Sequence, residues 1–325
     1  MKRLLLHYYL TNRCNSRCVF CTIWQETPKV DAAEEDVFRN LFYARKAGCS
    51  FVDFTGGEPL LHNSLPLFLK EAKRLGFITS ITTNCILFAS KADELRKLVD
   101  LLHFSIDSDD KRRHNDLRGV DCYDHVIKSI ALAKELKMAP DLLYTYNNDN
   151  IDSVDGIYKI ARKNKLILIL DPVFDPWAPD KVTWLTHNKA IELSKKSGIY
   201  LNRAHILLRS RGGNRVNNPL CKAMDTTFVI LPDNKLALPC FHHRSRTIRI
   251  EKDLSELITT KEYCEMKESQ GKLSFCEGCH INCYFDPTYT ILKNKMTYHS
   301  LSAKLKYSWT KYIVYRNPRP SIKLF

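Results

Sequence analysis

Short apolar runs alternate with amphipathic segments from residue 4 to about residue 170. Six of the runs have the length and β-branched or aromatic content of buried strands, and they cover residues 4–10, 51–55, 77–83, 101–106, 142–146 and 166–170. The five segments between them carry apolar residues at helical spacing, over residues 34–48, 65–76, 89–99, 123–137 and 154–164. Repeated strand and helix units predict an α/β fold with a parallel sheet and right-handed crossovers, either as an open sheet or as a partial barrel.

Distinctive polar residues follow the predicted strands. Three cysteines follow the first strand, Gly-Gly-Glu-Pro follows the second and Thr-Thr-Asn follows the third. Ser105 and Asp107 close the fourth strand, and Tyr146 and Asn147 close the fifth. Because active sites of parallel α/β folds collect at the carboxyl ends of the strands, we expect one site at this edge.

The alternation stops near residue 171, where Pro172, Pro176 and Pro179 interrupt it. A helix is predicted near 187–197, and residues 226–240 have the pattern of a hairpin around Pro-Asp-Asn. The predicted organisation is therefore a core with a linker over 1–215, a small domain over 216–290 and a basic tail over 291–325.

Composition predicts a globular protein in a reducing compartment. A 325-residue chain with 44% apolar residues can bury a substantial core. No uninterrupted apolar run of about 18 residues occurs, and the start lacks the features of a signal peptide, so we expect a cytoplasmic protein. In that reducing compartment, twelve cysteines favour metal binding or catalysis over disulfides. Four of them are isolated and are expected to be small buried hydrophobes: Cys49, Cys85, Cys122 and Cys264.

The first cysteine set, Cys14, Cys18 and Cys21, provides three thiolates and no fourth ligand. Structural zinc sites have four closed ligands, and open zinc sites mostly use histidine, which is absent between residues 8 and 61. A [4Fe-4S] cluster held by three cysteines would leave one iron open to a small molecule. Zinc and simple buried thiols remain alternatives to the cluster.

These residues resemble the radical S-adenosylmethionine (SAM) superfamily. Its C-x3-C-x-aromatic-C signature matches Cys14, Cys18, Phe20 and Cys21, and its GGEP signature matches residues 56–59, within a resemblance that covers about residues 3–171. The resemblance implies a partial (β/α)6 TIM-like barrel that binds SAM at the open iron. Reductive cleavage of SAM to a 5'-deoxyadenosyl radical would then need an electron donor such as flavodoxin or ferredoxin.

The resemblance also implies contacts to SAM. Glu58 would hold the turn or meet the sulfonium, and a solvated loop acid is its alternative interpretation. Asn84 is followed by Cys85 where the family often has glycine, and His62 is either a substrate contact or structural. The SAM-binding residues carried over from the family are Gly56, Gly57, Glu58, Asn84, Ser105, Asp107 and Arg118.

A second cysteine set spans the predicted hairpin and the segment after it. Its spacing alone is equally consistent with a zinc ribbon. A cysteine, a hairpin ending in a second cysteine and a C-x2-C pair resemble the twitch domain, a shortened SPASM module that carries one auxiliary [4Fe-4S] cluster. The resemblance predicts a small C-terminal α+β domain with Cys221, Cys240, Cys276 and Cys279 as ligands and Cys283 as substitute or spare. Such a cluster could accept an electron in a net oxidation or return it during bond formation.

Substrate and partners are less constrained by the sequence. A peptide maturase usually resembles relatives with a leader-binding domain before the barrel, whereas this sequence opens on the first strand, so a small metabolite, sugar or lipid headgroup is the leading expectation. Residues 171–215, with Trp177 and Trp184, are expected to line the pocket. The net charge is +14 and the sequence has no acid after residue 286, which makes the tail a packed helix or an interfacial helix at an anionic membrane. Without an RNA-binding module, nucleic acid is not an expected partner.

Overall fold

The structure, a computed structural model, describes residues 4–174, 182–251 and 253–319. Within these residues ten strands form one sheet in the order β10-β9-β8-β1-β2-β3-β4-β5-β6-β7. The strands are β1 Leu5–Thr11, β2 Phe51–Gly56, β3 Ile78–Thr83, β4 Leu101–Ser105, β5 Asp141–Tyr146, β6 Leu168–Pro172, β7 Ile199–Tyr200, β8 Thr227–Ile230, β9 Lys235–Leu238 and β10 Arg246–Arg249.

Strands β1 to β6 are parallel neighbours in chain order, as the alternating pattern predicts. Leu6, Tyr8 and Leu10 of β1 are fully buried in the main hydrophobic core. His7 and Tyr9 alternate with them and lie on the opposite, partly open face of the sheet. The α/β fold class and the partial barrel are confirmed.

Thirteen α-helices are described. They are α1 Glu34–Lys46, α2 Leu65–Arg74, α3 Phe88–Leu95, α4 Lys111–Arg118, α5 Tyr123–Glu135, α6 Val154–Lys163, α7 Trp184–Leu193, α8 Arg203–Ser210, α9 Ala223–Thr226, α10 Leu254–Leu257, α11 Lys261–Ser269, α12 Asn282–Tyr289 and α13 Lys295–Trp309. The five predicted crossover helices correspond to α1, α2, α3, α5 and α6. Helix α4 was not predicted, because its sequence KRRHNDLR has almost no apolar residues to form a periodic pattern.

The predicted hairpin is formed by β8 and β9, but it does not stand apart from the barrel. Strand β8 pairs in parallel with β1, from Leu5 opposite Thr227 to Tyr8 opposite Ile230. The sheet therefore continues from the predicted core into the predicted small domain. Cys14 follows β1 and Cys240 follows β9, so both cysteine sets are attached to the same sheet.

The tail returns to the barrel as helix α13, which ends in a short π-helical segment, Thr310–Val314. Lys311 Nζ donates to Asp141 Oδ1 at 2.7 Å and Tyr307 OH donates to Asp141 Oδ2 at 2.6 Å. Asp141 begins β5 and is fully buried. Among the described residues, no helix is both long enough and apolar enough to span a bilayer.

Candidate active site

The loop after β1 brings Cys14, Cys18 and Cys21 together. Burial raises the pKa of the Cys14 thiol to about 11, and Cys18 and Cys21 are close enough to add to that rise. Burial also raises the pKa of Cys21, again with a contribution from Cys18. Ligation would have to displace protons from Cys14 and Cys21, because thiolates are the metal-binding form.

The GGEP loop packs directly on the cysteine loop. Gly57 N donates to Thr11 O at 2.8 Å, and Glu58 N donates to Arg13 O at 2.9 Å. A Cβ on Gly57 would lie 2.0 Å from Arg13 O, so no other residue fits without moving the backbone that precedes Cys14. The glycines thus permit a close approach between the two loops.

Glu58 is buried, and its carboxylate holds the GGEP loop and the end of β3 together. It accepts hydrogen bonds from Leu60 N, Thr83 Oγ1 and Asn84 N at 2.9–3.1 Å. Burial raises its pKa to about 7, against the lowering effect of these three bonds. Its position is that of a turn-holding residue and differs from that of a solvated loop acid.

Asn84 extends this network to the cysteine loop. Its side-chain amide donates to Asn15 Oδ1 at 2.7 Å and to Ser16 Oγ at 2.9 Å. Cys85, next in the chain, is buried with φ of 69°, the left-handed conformation that glycine adopts most readily. The turn that the family often forms with glycine is therefore formed here by a cysteine.

Asp107 and Arg118, both predicted SAM contacts, pair with each other. Arg118 Nε lies 2.6 Å from Asp107 Oδ2, and both side chains are buried. Arg118 Nη1 also lies 3.8 Å from Cys18 Sγ, and its guanidinium lies over the Phe20 ring. Arg118 thus contacts a predicted cluster ligand directly. Ser105 is buried at the end of β4.

Helix α4 fastens the outer side of the cysteine loop. Arg17 N donates to Arg118 O at 2.9 Å and Val19 N donates to Leu117 O at 3.1 Å. Within α4, His114 Nδ1 accepts from Asp107 N, and the opposite ring nitrogen lies 3.3 Å from Cys122 Sγ. Sequence reasoning missed His114, and only the capping aspartate Asp110 before α4 signalled a helix there.

His62 has both ring nitrogens engaged inside the fold. Nε2 contacts Ala32 O at 3.0 Å, and Nδ1 accepts from Ser64 N at 3.2 Å. Since a carbonyl oxygen only accepts, Nε2 is the donor in the first of these contacts. His62 therefore occupies a structural position.

Four cysteines of the second set line one cavity: Cys221, Cys240, Cys276 and Cys279. Burial raises the pKa of each thiol, to about 12 for Cys240 and about 11 for Cys279. Among the described residues no group of three or more Cys, His, Asp or Glu side chains is placed around a single-ion position. The four thiols thus lie around one shared cavity.

Asn214 connects the segments that carry these cysteines. Its side-chain amide donates to Gly271 O and Cys276 O, and its side-chain oxygen accepts from the N–H groups of Leu220 and Cys221. Its backbone N–H donates to Cys279 O at 2.8 Å. The fully buried Asn214 was not identified from the sequence, because a single asparagine in a loop carries no recognisable pattern.

Cys283 lies apart from this cavity. It lines a second cavity of about 290 Å³ in the barrel interior, together with His7, Asp171 and Asn282. The Cys283 side chain is exposed to the cavity, and burial followed by the carboxylates of Asp171 and Asp53 raises the pKa of its thiol. The four-cysteine cavity thus forms without the fifth candidate.

The segment 171–215 contributes to a third cavity, near the second cysteine set. Trp184 and Arg209 line it with Gly278 and His280. Trp177, Pro176 and Pro179 lie outside the described residues.

Comparison with known families agrees with this geometry. Residues 8–161 match the sequence model of the radical SAM superfamily. This segment contains the cysteine loop, the GGEP loop, most of β1 and all of β2 to β5, so residues 8–161 form a radical SAM domain. The superfamily implies SAM and a [4Fe-4S] cluster as cofactors.

Curated relatives match about half of the chain. A probable GTP 3',8-cyclase of Saccharolobus solfataricus is 32% identical over 176 residues, which are 52% of this chain and 57% of that protein. A probable GTP 3',8-cyclase of Thermoplasma volcanium is 29% identical over 174 residues, or 51% of this chain and 53% of that protein. The chain spans little more than half the length of these relatives.

Solved structures resemble a larger part of the fold. Streptococcus suis SuiB bound to S-adenosylmethionine superposes with a TM-score of 0.67 at 17% identity, over 86% of this chain and 72% of that chain. SuiB has also been solved with its precursor peptide SuiA. The enzyme anSMEcpe with bound AdoMet gives a TM-score of 0.62 at 17% identity, over 98% of this chain and 97% of that chain. At these identities the likeness establishes the fold.

Proposed function

We propose that the chain cleaves SAM reductively at a [4Fe-4S] cluster held by Cys14, Cys18 and Cys21, and that the cleavage starts a radical reaction on a substrate. When bound, the reduced cluster supplies the electron that splits SAM into methionine and a 5'-deoxyadenosyl radical, which abstracts a substrate hydrogen atom. The observation that carries the proposal is the three-cysteine loop packed on the GGEP loop at the carboxyl edge of the sheet. An electron donor such as flavodoxin or ferredoxin would supply the electron that reduces the cluster.

The protein's own residues would orient SAM and exclude water. Gly56 and Gly57 present backbone beside the cysteine loop, and Ser105 and Asn84 lie at the neighbouring strand ends. The Asp107–Arg118 pair leaves Asp107 engaged, so we expect it to position Arg118 beside the cluster rather than to bind the ribose. Glu58 would act through the loop that it holds.

We further propose that Cys221, Cys240, Cys276 and Cys279 bind an auxiliary [4Fe-4S] cluster. Its role would be oxidation of the substrate radical or support of bond formation. Support comes from the single cavity that the four thiols share and from the separation of Cys283 from it. A domain boundary near residue 215 fits this proposal, since Asn214 opens the cysteine-bearing region.

The substrate is proposed to be a small metabolite, a sugar or a lipid headgroup. The barrel cavity of about 290 Å³ is lined by apolar and polar side chains, the polar ones including His7, Asp171 and Asn282, and its volume suits a small molecule better than a long chain. A peptide or protein substrate is the alternative, and it is favoured by the resemblance of the fold to SuiB, which was solved with a peptide bound.

Iron and sulfide counts test the two-cluster proposal. After anaerobic reconstitution we expect about eight irons per chain, and about four after Cys276→Ala with Cys279→Ala. Cys264→Ala removes an exposed cysteine elsewhere and is the matched control, with iron unchanged. Equal iron content in wild type and the double variant would contradict the assignment of the auxiliary ligands.

We also propose peripheral contact between the tail and an anionic membrane. Helix α13 exposes more than half of Tyr298, Leu301, Leu305 and Trp309, and lysines flank them. Leu301→Gln with Leu305→Gln should weaken sedimentation with vesicles of phosphatidylcholine and one-third phosphatidylserine. Leu67→Gln, on the exposed side of α2, should leave it unchanged. Equal sedimentation of all three proteins would contradict the membrane contact.

A further inference from the structure

A cationic pocket lies between helices α7 and α8 and the segment before α12. Its volume is about 660 Å³, and the described residues that line it are Val182, Trp184, His187, Arg209, Ser210, Gly212, Gly278 and His280. None of these described residues is acidic. The pocket adjoins the second cysteine set through Gly278 and His280, which flank Cys279.

Arg209 forms no ion pair within the described residues, although the buried Asp171 carboxylate is close enough to interact with it electrostatically. Its Nε donates to His187 Nε2 at 3.1 Å. That contact leaves the proton of the neutral His187 ring on Nδ1, which donates to Tyr146 OH at 2.9 Å. In the parts of the chain that the structure describes, no carboxylate lies within ion-pair distance of Arg209, and its buried Nη1 has no hydrogen-bond partner.

An unpaired, buried guanidinium atom is costly, because the water that it loses on folding is not replaced by another acceptor. Such a group in a pocket wall is explained if a ligand completes its hydrogen bonds. The planar guanidinium matches carboxylate and phosphate oxygens, to which it donates two parallel bonds.

His280 adds an acceptor beside these donors. Its Nδ1 contacts Gly278 O at 3.0 Å and must be the donor in that bond, because a carbonyl only accepts. Its Nε2 is buried without a partner. An anionic group that also carries a hydroxyl could therefore satisfy both side chains.

Helix α8 links this pocket to the barrel interior. His205 and Arg209 are four residues apart and so lie on the same side of the helix, about one turn from each other. His205 lines the barrel cavity with Asp171 and Cys283, whereas Arg209 lines the cationic pocket. His205 is buried, and its Nδ1 has no hydrogen-bond partner.

We propose that the cationic pocket binds a carboxylate or phosphate group of the substrate through Arg209, while the reacting part of the substrate occupies the barrel cavity. This inference rests on the proposed function and narrows the substrate to an anionic metabolite. Trp184, half exposed at the pocket wall, offers a ring face to a planar part of the same molecule.

Three probes with a common ring test the proposal by calorimetry on the reconstituted protein at low salt: phenyl phosphate, benzoate and neutral benzyl alcohol. We expect phenyl phosphate or benzoate, but not benzyl alcohol, to bind with a millimolar or lower dissociation constant. Preference between the two anions distinguishes a phosphate from a carboxylate site. Arg209→Gln should weaken binding of the anion at least tenfold. Arg211→Gln changes an exposed neighbour outside the pocket and should leave the affinity unchanged.

Ser210→Glu keeps Arg209 and His187 intact and places a negative charge at the exposed pocket rim, so it should also weaken binding of the anion several-fold. This variant tests the proposal even if Arg209→Gln does not fold. The proposal is overturned if neither anion binds the wild type. It is also overturned if Arg209→Gln or a folded Ser210→Glu binds the anion with wild-type affinity, or if Arg211→Gln loses as much affinity for the anion as Arg209→Gln does. These outcomes do not depend on SAM cleavage. A protein that binds the anion through Arg209 but releases no 5'-deoxyadenosine would refute the radical function and leave the pocket assigned.

Discussion

Glu58 shows how a residue placed in a ligand-binding motif serves the architecture of that motif. Its carboxylate ties the GGEP loop to the end of β3, and Asn84 passes that connection to the cysteine loop. The motif therefore depends on hydrogen bonds between loops as much as on groups directed at a ligand.

The raised pKa of Glu58 predicts a pH-dependent contribution to stability. The folded carboxyl has a pKa of about 7, and an unfolded glutamate titrates near about 4.3. Between these values the folded state binds more protons, so the free energy of unfolding falls as pH rises, by up to about 3 kcal/mol. Denaturant unfolding at pH 4.5 and 7.5 should show this fall relative to Glu58→Gln. Parallel pH dependence in the two proteins would contradict it.

The hydrogen bonds of Asn214 predict that its loss will impair iron binding at the second cysteine set. Asn214→Ala leaves two carbonyls and two N–H groups without their partner, and loss of such buried bonds costs about 1–3 kcal/mol each before relaxation. We expect lower iron content and a lower unfolding temperature. Asn218→Ala, an exposed neighbour, is the control. Iron content equal to that of the control would contradict the role of Asn214.

The first cysteine set was recognisable from its local spacing, whereas the second set, spread over residues 221–279, was grouped through the resemblance to the twitch domain, and its four predicted ligands line one cavity. Contacts between side chains that are distant in sequence were not predictable in the same way. The Asp107–Arg118 pair and the isolation of Cys283 from the other four cysteines depend on how α4 and α12 pack, which spacing does not encode.

At the scale of elements, the six strands and five crossover helices follow from apolar periodicity, because each buries one face against the core. Helix α4 lacks that periodicity and was missed. The pairing of β8 with β1 was also not foreseen, since a hairpin pattern gives no information on which edge it joins.

The contacts that anchor the tail to the barrel predict that replacing Lys311 will strongly lower the free energy of unfolding. Lys311 and Asp141 form a buried ion pair, and removing one partner of such a pair typically costs about 3–5 kcal/mol. Lys311→Met should lower the free energy of unfolding by that order. Lys304→Met breaks the half-exposed pair with Asp286 and should cost less than about 1 kcal/mol. Equal destabilisation by the two variants would contradict the buried anchor.

At the scale of the whole molecule, Tyr9 of β1 lies close to both cysteine sets. Tyr9 on β1 stacks on Phe241 with ring centroids 4.0 Å apart, and Phe241 follows Cys240 in the chain. Cys21 and Cys240 are both near enough to Tyr9 to raise its pKa, after the larger effect of burial. A single strand thus brings the two proposed cluster sites and the barrel cavity into one region.

The central claim is that SAM is cleaved at the cluster held by Cys14, Cys18 and Cys21. Mass spectrometry of 5'-deoxyadenosine released from SAM by the reconstituted, dithionite-reduced protein tests it most directly. We predict release by the wild type and by the Cys276→Ala, Cys279→Ala variant, and none when Cys14, Cys18 and Cys21 are all changed to alanine. Undiminished 5'-deoxyadenosine from that triple variant would contradict the claim.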